Sequence, residues 1–307
     1  MKRKWIRWVS WILLTPIILF VILMVLLYVP PVQNLLRREV TAYASKATGM
    51  QIQVERIDLR FPLNLLVRGV EVIQQPDTLL SLESLNVRVQ AWPLIKGKVE
   101  VDEVTLSRVA VNSADLMEGM KIKGVLGRFF LQSHGVDLSN ELAVINQVEL
   151  SDTHMQLLMN DTTTTPKDTT ASAPINWKVA LHQLKLKNVS FSMQLPADSM
   201  RMTAHIGEAA INDAQADLKN QYYDLKKFLL LGTSASYDTG TAQPTEGFDA
   251  SHIAVRDIRI ALDSLLYKGR DMNAVIREFT MNERSGLSVT ALTVEPTPMI
   301  LLSVFPV

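Results

Sequence analysis

Cysteine is absent from the 307-residue chain. This absence excludes a disulfide-linked scaffold, thiolate zinc sites and a cysteine nucleophile. An excess of charge of either sign is also missing, because 31 Lys and Arg residues balance 31 Asp and Glu residues. A nucleic-acid-binding domain normally carries a basic surplus, so we expect no nucleic-acid partner. Hydrophobic residues make up 48% of the chain, which is enough for a substantial core in one large or two ordinary domains.

Sequence motifs for catalysis, cofactors and metals are missing as well. The five histidines include no pair four residues apart and no HExxH motif, so we interpret each one as a polar strand or turn residue. The glycines match neither a dinucleotide fingerprint nor a phosphate-binding loop. Ser285 is not in a nucleophile elbow, because Glu283 and Leu287 occupy the positions that require glycine. We therefore predict a non-enzymatic protein with no cofactor and no metal.

The longest uncharged run covers residues 8–29. A helix over these residues would reach roughly 33 Å, against about 30 Å for the hydrocarbon core of a bilayer. A buried soluble helix rarely runs this long without a charge. A cleaved signal peptide is also disfavoured, because the small-residue pattern Ala42-Tyr43-Ala44 lies more than ten residues beyond the run. We predict an uncleaved, single-pass span in the plasma membrane, with the basic residues 1–7 cytoplasmic and the rest of the chain outside.

Residues 32–48 are expected to form an amphipathic helix that ends at Gly49, where a residue free to take positive φ is favoured. This helix is interpreted as lying at the membrane surface, as plugging the end of a sheet, or as a simple packed helix. The sequence leaves these alternatives open. The apolar positions on one helical face are Val32, Leu35, Leu36, Val40, Ala44 and Ala47.

From residue 50 onward the apolar period changes to two, with one extra residue inside each repeat. Apolar residues fall at i, i+2, i+5 and i+7, which is two strand-like alternations separated by an insertion. A β-bulge or tight corner inserts one residue in this way and bends the strand, although separate strands joined by short turns would give the same spacing. Strict copies begin at Ile52, Leu80, Val99 and Leu184, and near copies begin at Leu65, Val148 and Ile253.

Polar segments interrupt these repeats. Residues 160–174, rich in threonine, and residues 232–251 are expected to be exposed connections. Residues 214–231 suit either a helix or a strand, and the alternating neighbours favour a strand. Residues 287–290 open a further strand, and the apolar end 299–307 is either a final edge strand or a place where the natural architecture continues beyond this chain.

The fold class expected from these patterns is mainly β. A transmembrane helix and an amphipathic helix precede a curved, antiparallel-type sheet, which we expect to be incomplete at its C-terminal end. If one face of this sheet is uncovered, it forms a trough suited to lipid acyl chains. The pattern alone favours an ordinary sandwich, in which a second sheet fills that face. The residues predicted to line the trough are Ile57, Leu59, Val87, Val89, Val104, Leu106, Val189 and Phe191.

The N-terminal third resembles AsmA/TamB-type envelope proteins. The resemblance covers residues 1–113 well and extends more loosely to about residue 292. Residues 252–258, His-Ile-Ala-Val-Arg-Asp-Ile, and the overall composition are similar to the branch found in Bacteroidetes. The motifs that carry the resemblance are Ile52-Gln53-Val54-Glu55-Arg56-Ile57, Leu66-Val67-Arg68-Gly69-Val70-Glu71-Val72, Leu82-Glu83-Ser84-Leu85-Asn86-Val87-Arg88-Val89 and Leu94-Ile95-Lys96-Gly97-Lys98-Val99-Glu100-Val101.

This resemblance implies a protein of the inner membrane that projects a long β-groove, built from an open sheet, into the periplasm. Residues 50–159 and 175–307 would be a first and a second, incomplete groove region. The implied function is phospholipid transport to the outer membrane and outer-membrane biogenesis, with membrane phospholipids as partners. The alternative is a scaffold for secreting or inserting outer-membrane proteins, with an outer-membrane assembly protein as partner. TamB-type proteins are much longer and end in a characteristic C-terminal domain that this chain lacks.

Overall fold

The structure is a computed structural model that describes part of the chain. The predicted membrane span 8–29, the basic start 1–7, the Thr-rich loop 160–174 and the apolar end 299–307 lie outside the described residues. Within the described part, no helix combines the length and apolar content needed to cross a membrane. The described residues are 30–60, 63–74, 76–90, 92–93, 100–113, 119–137, 141–159, 176–240, 243, 245–247, 249–269 and 271–290.

The predicted amphipathic helix is present and begins slightly earlier than expected. It spans Pro30–Thr48 and is named α1. Proline is tolerated in the first turn of a helix because the N–H it lacks would have no intrahelical partner there. Gly49 follows with a φ of 71° and donates its N–H to Ser45 O at 3.0 Å. The predicted helix end at Gly49 is therefore confirmed.

The rest of the described chain forms one open twelve-stranded sheet whose strands follow sequence order. This confirms the mainly β class and the open sheet. A short 3-10 turn, Pro196–Asp198, joins the seventh strand to the eighth. The strands are β1 (Gln51–Arg60), β2 (Asn64–Gln74), β3 (Asp77–Val89), β4 (Val101–Asn112), β5 (Met120–Asp137), β6 (Leu142–Met159), β7 (Lys178–Leu195), β8 (Met200–Asp217), β9 (Tyr222–Asp238), β10 (His252–Lys268), β11 (Asp271–Glu283) and β12 (Ser288–Val289).

The structure corrects two expectations and confirms a third. The sheet is mostly antiparallel, but β6 and β7 run parallel. Residues 232–238, predicted as part of an exposed connection, belong to β9, because small and hydroxyl residues there pair in register with β8. The preference for strand over helix in residues 214–231 is confirmed, with a turn between Asp217 and Tyr222.

Two compact units divide the chain, residues 1–108 and residues 109–307. The boundary falls inside β4, immediately after Arg108. In the first unit, α1 contacts β1. The predicted groove regions 50–159 and 175–307 remain predictions.

A residue with φ near 50° interrupts seven of the described strands. In β2, β6, β7 and β10 this residue is four positions after the start of a predicted repeat, where the sequence pattern has its extra residue. Strands β4, β8 and β9 carry the same feature, although Ala, Gly and Thr obscure their apolar pattern. The residues are Gly69, Arg108, Asp152, Asn188, Asp213, Gly232 and Asp257, with φ between 45° and 59°.

Strand register is unchanged across Gly69, Asp152, Asn188 and Asp213, whereas the pairing of β10 with both of its neighbours shifts at Asp257. β7 pairs with β8 through Lys187↔Glu208 on one side of Asn188 and through Val189↔Ile206 on the other, without a shift. The extra residue therefore moves the following side chains by one position and returns the apolar set to the same face. The predicted irregularity inside the strand is confirmed for the repeats that begin at Leu65, Val148, Leu184 and Ile253. The strict repeats that begin at Ile52, Leu80 and Val99 have no positive-φ residue at their extra position.

Neighbouring strands accommodate the interruption with glycine and threonine. A Cβ atom added to Gly207 would lie 2.9 Å from the carbonyl oxygen of Gly232, so only glycine fits opposite that residue. Thr153 donates its hydroxyl to Ser151 O at 3.1 Å, across the interruption. Thr233 does the same to Leu231 O at 3.5 Å. These hydroxyls hydrogen-bond carbonyls beside the irregular residue, which explains why Thr153 replaces an apolar residue in its repeat.

We expect Gly232→Val to destabilise the protein by about 1–2 kcal/mol, because a β-branched residue tolerates positive φ poorly. Gly232 has a φ of 57°, and the nearest atom to an added Cβ is 4.0 Å away, so the effect reports on backbone conformation and not on a clash. Gly232→Asn is the matched control, because asparagine adopts this conformation more readily. Chemical unfolding followed by circular dichroism measures both. Equal stability of the two variants would contradict this account of the interruption.

Candidate functional site

The register of unit 2 places most apolar side chains of β5–β11 on one face, here called the apolar face. Directly paired residues share a face, and the face continues from strand to strand in register. On β6–β10 this face also carries a few polar side chains, namely Thr153, Thr233 and three tyrosines. Three apolar residues of these strands, Leu229, Leu231 and Leu266, lie on the opposite face. Paired rows across β6, β7 and β8 include Val148–Leu184–Ile211, Leu150–Leu186–Ala209, Met155–Phe191–Ala204 and Leu157–Met193–Met202.

Unit 1 has an apolar face of its own. Ion pairing between Arg88 Nη1 and Glu103 Oε2, at 3.2 Å, places these two side chains on the opposite side. Alternation along β4 then puts Val104 and Leu106 on the same face as Val87. The paired rows across β1, β2 and β3 are Val54–Val70–Leu82, Ile57–Val67–Leu85 and Leu59–Leu65–Val87.

All eight predicted lining residues lie on these apolar faces. Six of them, on β1, β3 and β4, share the face of unit 1, with Val89 placed there by alternation from Val87. Val189 and Phe191 lie on the face of unit 2. Seven of the eight are half-buried, and Phe191 is 41% exposed. Their role as the lining of a groove remains a prediction.

The apolar faces are only partly shielded from solvent. All the described strands belong to one sheet, so no second sheet made of described residues covers either face. The side chains of a sandwich core would be largely inaccessible. Here no large side chain among the described residues is fully buried. The buried apolar residues in this part of the chain are Leu79, Leu82, Ala143, Ala209 and Ala261.

Sequence reasoning missed the small and sulfur-containing members of the apolar face. Ala204, Ala209, Ala214 and Ala216 of β8 face the same way as the larger residues of β7. Alanine is equally common in helices and loops, so its pattern in β8 carries little information on its own. The signal that identifies these residues is the positive-φ residue Asp213, which sits at the same place in the repeat as Asn188 in β7.

The opposite face of unit 2 carries polar side chains, including a Ser–His pair. Ser190 Oγ lies 2.9 Å from His205 Nδ1, in a row that continues to His154 and Ser234. This row contains no carboxylate to orient the imidazole, as a nucleophile activated by histidine normally requires. Within the described ranges, no three His, Asp or Glu side chains lie close enough together to hold a metal ion.

Asp249 is the most strongly perturbed carboxylate in the described part of the chain. It accepts hydrogen bonds from Thr245 N at 3.1 Å and Ser251 N at 2.9 Å, and its Oδ2 lies 2.8 Å from His252 Nδ1. The Thr245 N–H first, then His252 and the Ser251 N–H, lower the pKa of Asp249 from 3.8 to about 2. The carboxylate fastens the segment before β10, which is a structural role.

Because this pKa is lowered on folding, the stabilising contribution of Asp249 is complete above pH 3.8 and disappears as the pH falls through about 2. We expect Asp249→Asn to reduce stability at neutral pH and to match the wild type at the acid end of this window. Thermal unfolding followed by circular dichroism at a series of pH values measures the difference. A difference that is constant down to the acid end would contradict the assignment.

Neither a scan against protein-family models nor a comparison with curated proteins finds a match for this chain. The resemblance to AsmA/TamB-type proteins therefore rests on the quoted sequence motifs. The described structure by itself shows the architecture, which is a single open sheet with an apolar face in each unit and a helix against β1.

Proposed function

We propose that this protein binds lipid acyl chains along the apolar faces of a curved, groove-like sheet and acts without catalysis in moving phospholipid toward an outer membrane. The observation that carries the proposal is the partly exposed apolar face. In unit 2 it continues in register across β5–β11 with no covering sheet among the described residues.

The energetics of burial favour an acyl chain as the occupant. Transfer of each methylene out of water contributes about 0.8 kcal/mol, so a long chain gains several kcal/mol without specific polar contacts. Successive strands lie about 4.8 Å apart, and β5 to β11 span six such spacings, or roughly 29 Å across the strands. This is enough length for an extended acyl chain to lie on apolar side chains throughout.

The uncharged run at residues 8–29 supports a location at the inner membrane of a diderm bacterium, with the sheet in the periplasm. The proposed membrane anchor would hold the beginning of the sheet next to a source of phospholipid. A sheet of this size is too short to cross a periplasm alone, so the proposal assigns it the membrane-proximal part of a longer path.

We expect the combined substitution Val104→Asp and Val189→Asp to remove phospholipid that co-purifies with the full chain. A carboxylate on each apolar face would have to lose its hydration beside an acyl chain, which is strongly unfavourable. Mass spectrometry of lipid extracted from the purified protein measures the loss, and circular dichroism checks that the β-structure is retained.

Thr105→Asp with Ser190→Asp provides the matched control. These positions are next in sequence to Val104 and Val189 and lie on the opposite face of the same strands. The control variant should keep its lipid. Lipid-free wild-type protein, or equal retention by the two variants, would rule out the proposed groove.

A scaffold for outer-membrane proteins is the second candidate, and the exposed edge of β11 favours it. On its outer side β11 pairs with β12 only through Met281 and Asn282, counting the described residues. Unpaired backbone groups at such an edge are able to bind an added strand of a client or partner. A photo-crosslinking residue at Asn273 or Val275 would then capture a protein, and the Val104→Asp and Val189→Asp substitutions would leave that capture unchanged.

A further inference from the structure

Helix α1 contacts the sheet through polar side chains. Gln33 Nε2 donates to Leu59 O at 3.1 Å, and Arg37 Nη1 donates to Glu55 O at 2.7 Å. Ser45 Oγ accepts the N–H of Ile52 at 3.1 Å. These bonds satisfy backbone groups of the edge strand β1, so α1 protects that edge and has a fixed rotation about its own axis.

This rotation leaves a short apolar stripe on α1 exposed, made of Leu35 and Tyr43. Leu35 is 58% exposed and Tyr43 is 77% exposed. With about 100° of rotation per residue, these two side chains lie on the side of the helix turned away from Gln33 and Arg37.

Charged side chains accompany this stripe. Lys46 and Glu39 lie within the same sector of the helix, and Arg38 lies at its margin. All three are exposed. Apolar side chains interleaved with charges suit the boundary between lipid headgroups and acyl chains better than the hydrocarbon interior. The four charged residues of α1, Arg37, Arg38, Glu39 and Lys46, give the helix a net charge of +2, which favours anionic lipid.

The position of α1 in the chain also indicates a membrane surface as the environment of the stripe. Its first residue, Pro30, directly follows the uncharged run 8–29. A chain that leaves a bilayer at residue 29 places the next turns of helix at the membrane surface. An aqueous environment for the stripe would leave Leu35 and Tyr43 in water beside an available apolar phase.

We infer that α1 is an interfacial helix whose stripe of Leu35 and Tyr43 inserts into the headgroup region of the membrane while its polar side holds the edge of β1. The helix sets the orientation of β1 relative to the membrane surface. This inference rests on the membrane anchor of the proposed function and does not depend on lipid in the groove.

Single-cysteine labelling of the full chain tests this inference, because the wild type contains no cysteine. Leu35→Cys and Tyr43→Cys carry an environment-sensitive fluorophore on the stripe, and Asn34→Cys provides an exposed control outside the stripe. The labelled proteins are reconstituted into vesicles of phosphatidylethanolamine and phosphatidylglycerol. Iodide quenches labels in water, and lipids with a quencher close to the headgroup quench labels at the interface.

The inference predicts that stripe labels are quenched by the shallow lipid quencher and are protected from iodide, with the reverse for Asn34→Cys. Such a label would lie about 5–10 Å into the boundary region. Equal iodide quenching at stripe and control positions would overturn the inference while leaving the anchor intact. Stripe labels protected from both quenchers would indicate a protein partner, such as a second copy of the chain, and would also overturn it. Protein that fails to float with the vesicles would overturn the anchor itself.

Discussion

The alternation of side chains in a β-strand is the constraint on which the rest of this structure depends. A strand that bends loses its apolar face unless one residue is added and takes a conformation that most residues avoid. Seven strands meet this requirement with a residue at positive φ, and in β6 and β7 these are Asp152 and Asn188. The Asn188 amide donates to Asp152 Oδ1 at 2.7 Å, so the two irregular positions also stabilise each other.

Each described unit has only a small hydrophobic core, because no second sheet among the described residues covers its apolar face. Stability then depends on strand pairing within the sheet and on ion pairs of its polar face. It also depends on any bound molecule that covers the apolar side chains. Burial of each exposed methylene would contribute about 0.8 kcal/mol to the free energy of folding. A bound acyl chain would bury some of these methylenes, so ligand binding and stability are expected to be coupled. The helix α1 solves a different problem, because it occupies the otherwise open edge of β1.

Sequence patterns predicted the β class and the interruptions in β2, β6, β7 and β10, because side-chain period and the inserted residue are local properties. The open sheet was expected from the family resemblance and not from the pattern. Sequence patterns also placed the eight predicted residues on the apolar faces. Parallel pairing of β6 with β7 was not predictable, since strand direction depends on contacts distant in sequence. The orientation of α1 was missed for a related reason. Gln33, Arg37 and Ser45 are ordinary polar residues until the edge of β1 supplies backbone partners for them.

Photo-crosslinking inside intact membranes, before any detergent is added, tests the central claim most directly. A photoreactive phenylalanine analogue replaces Phe191 or Leu59 on the apolar faces, and Gln194 or Arg60 on the opposite sides of the same strands. The account predicts phospholipid adducts at positions 191 and 59 and none at positions 194 and 60, by mass spectrometry of the digested protein. Adducts of another segment of polypeptide at positions 191 and 59, with no lipid, would show that protein covers the apolar faces and would contradict the account.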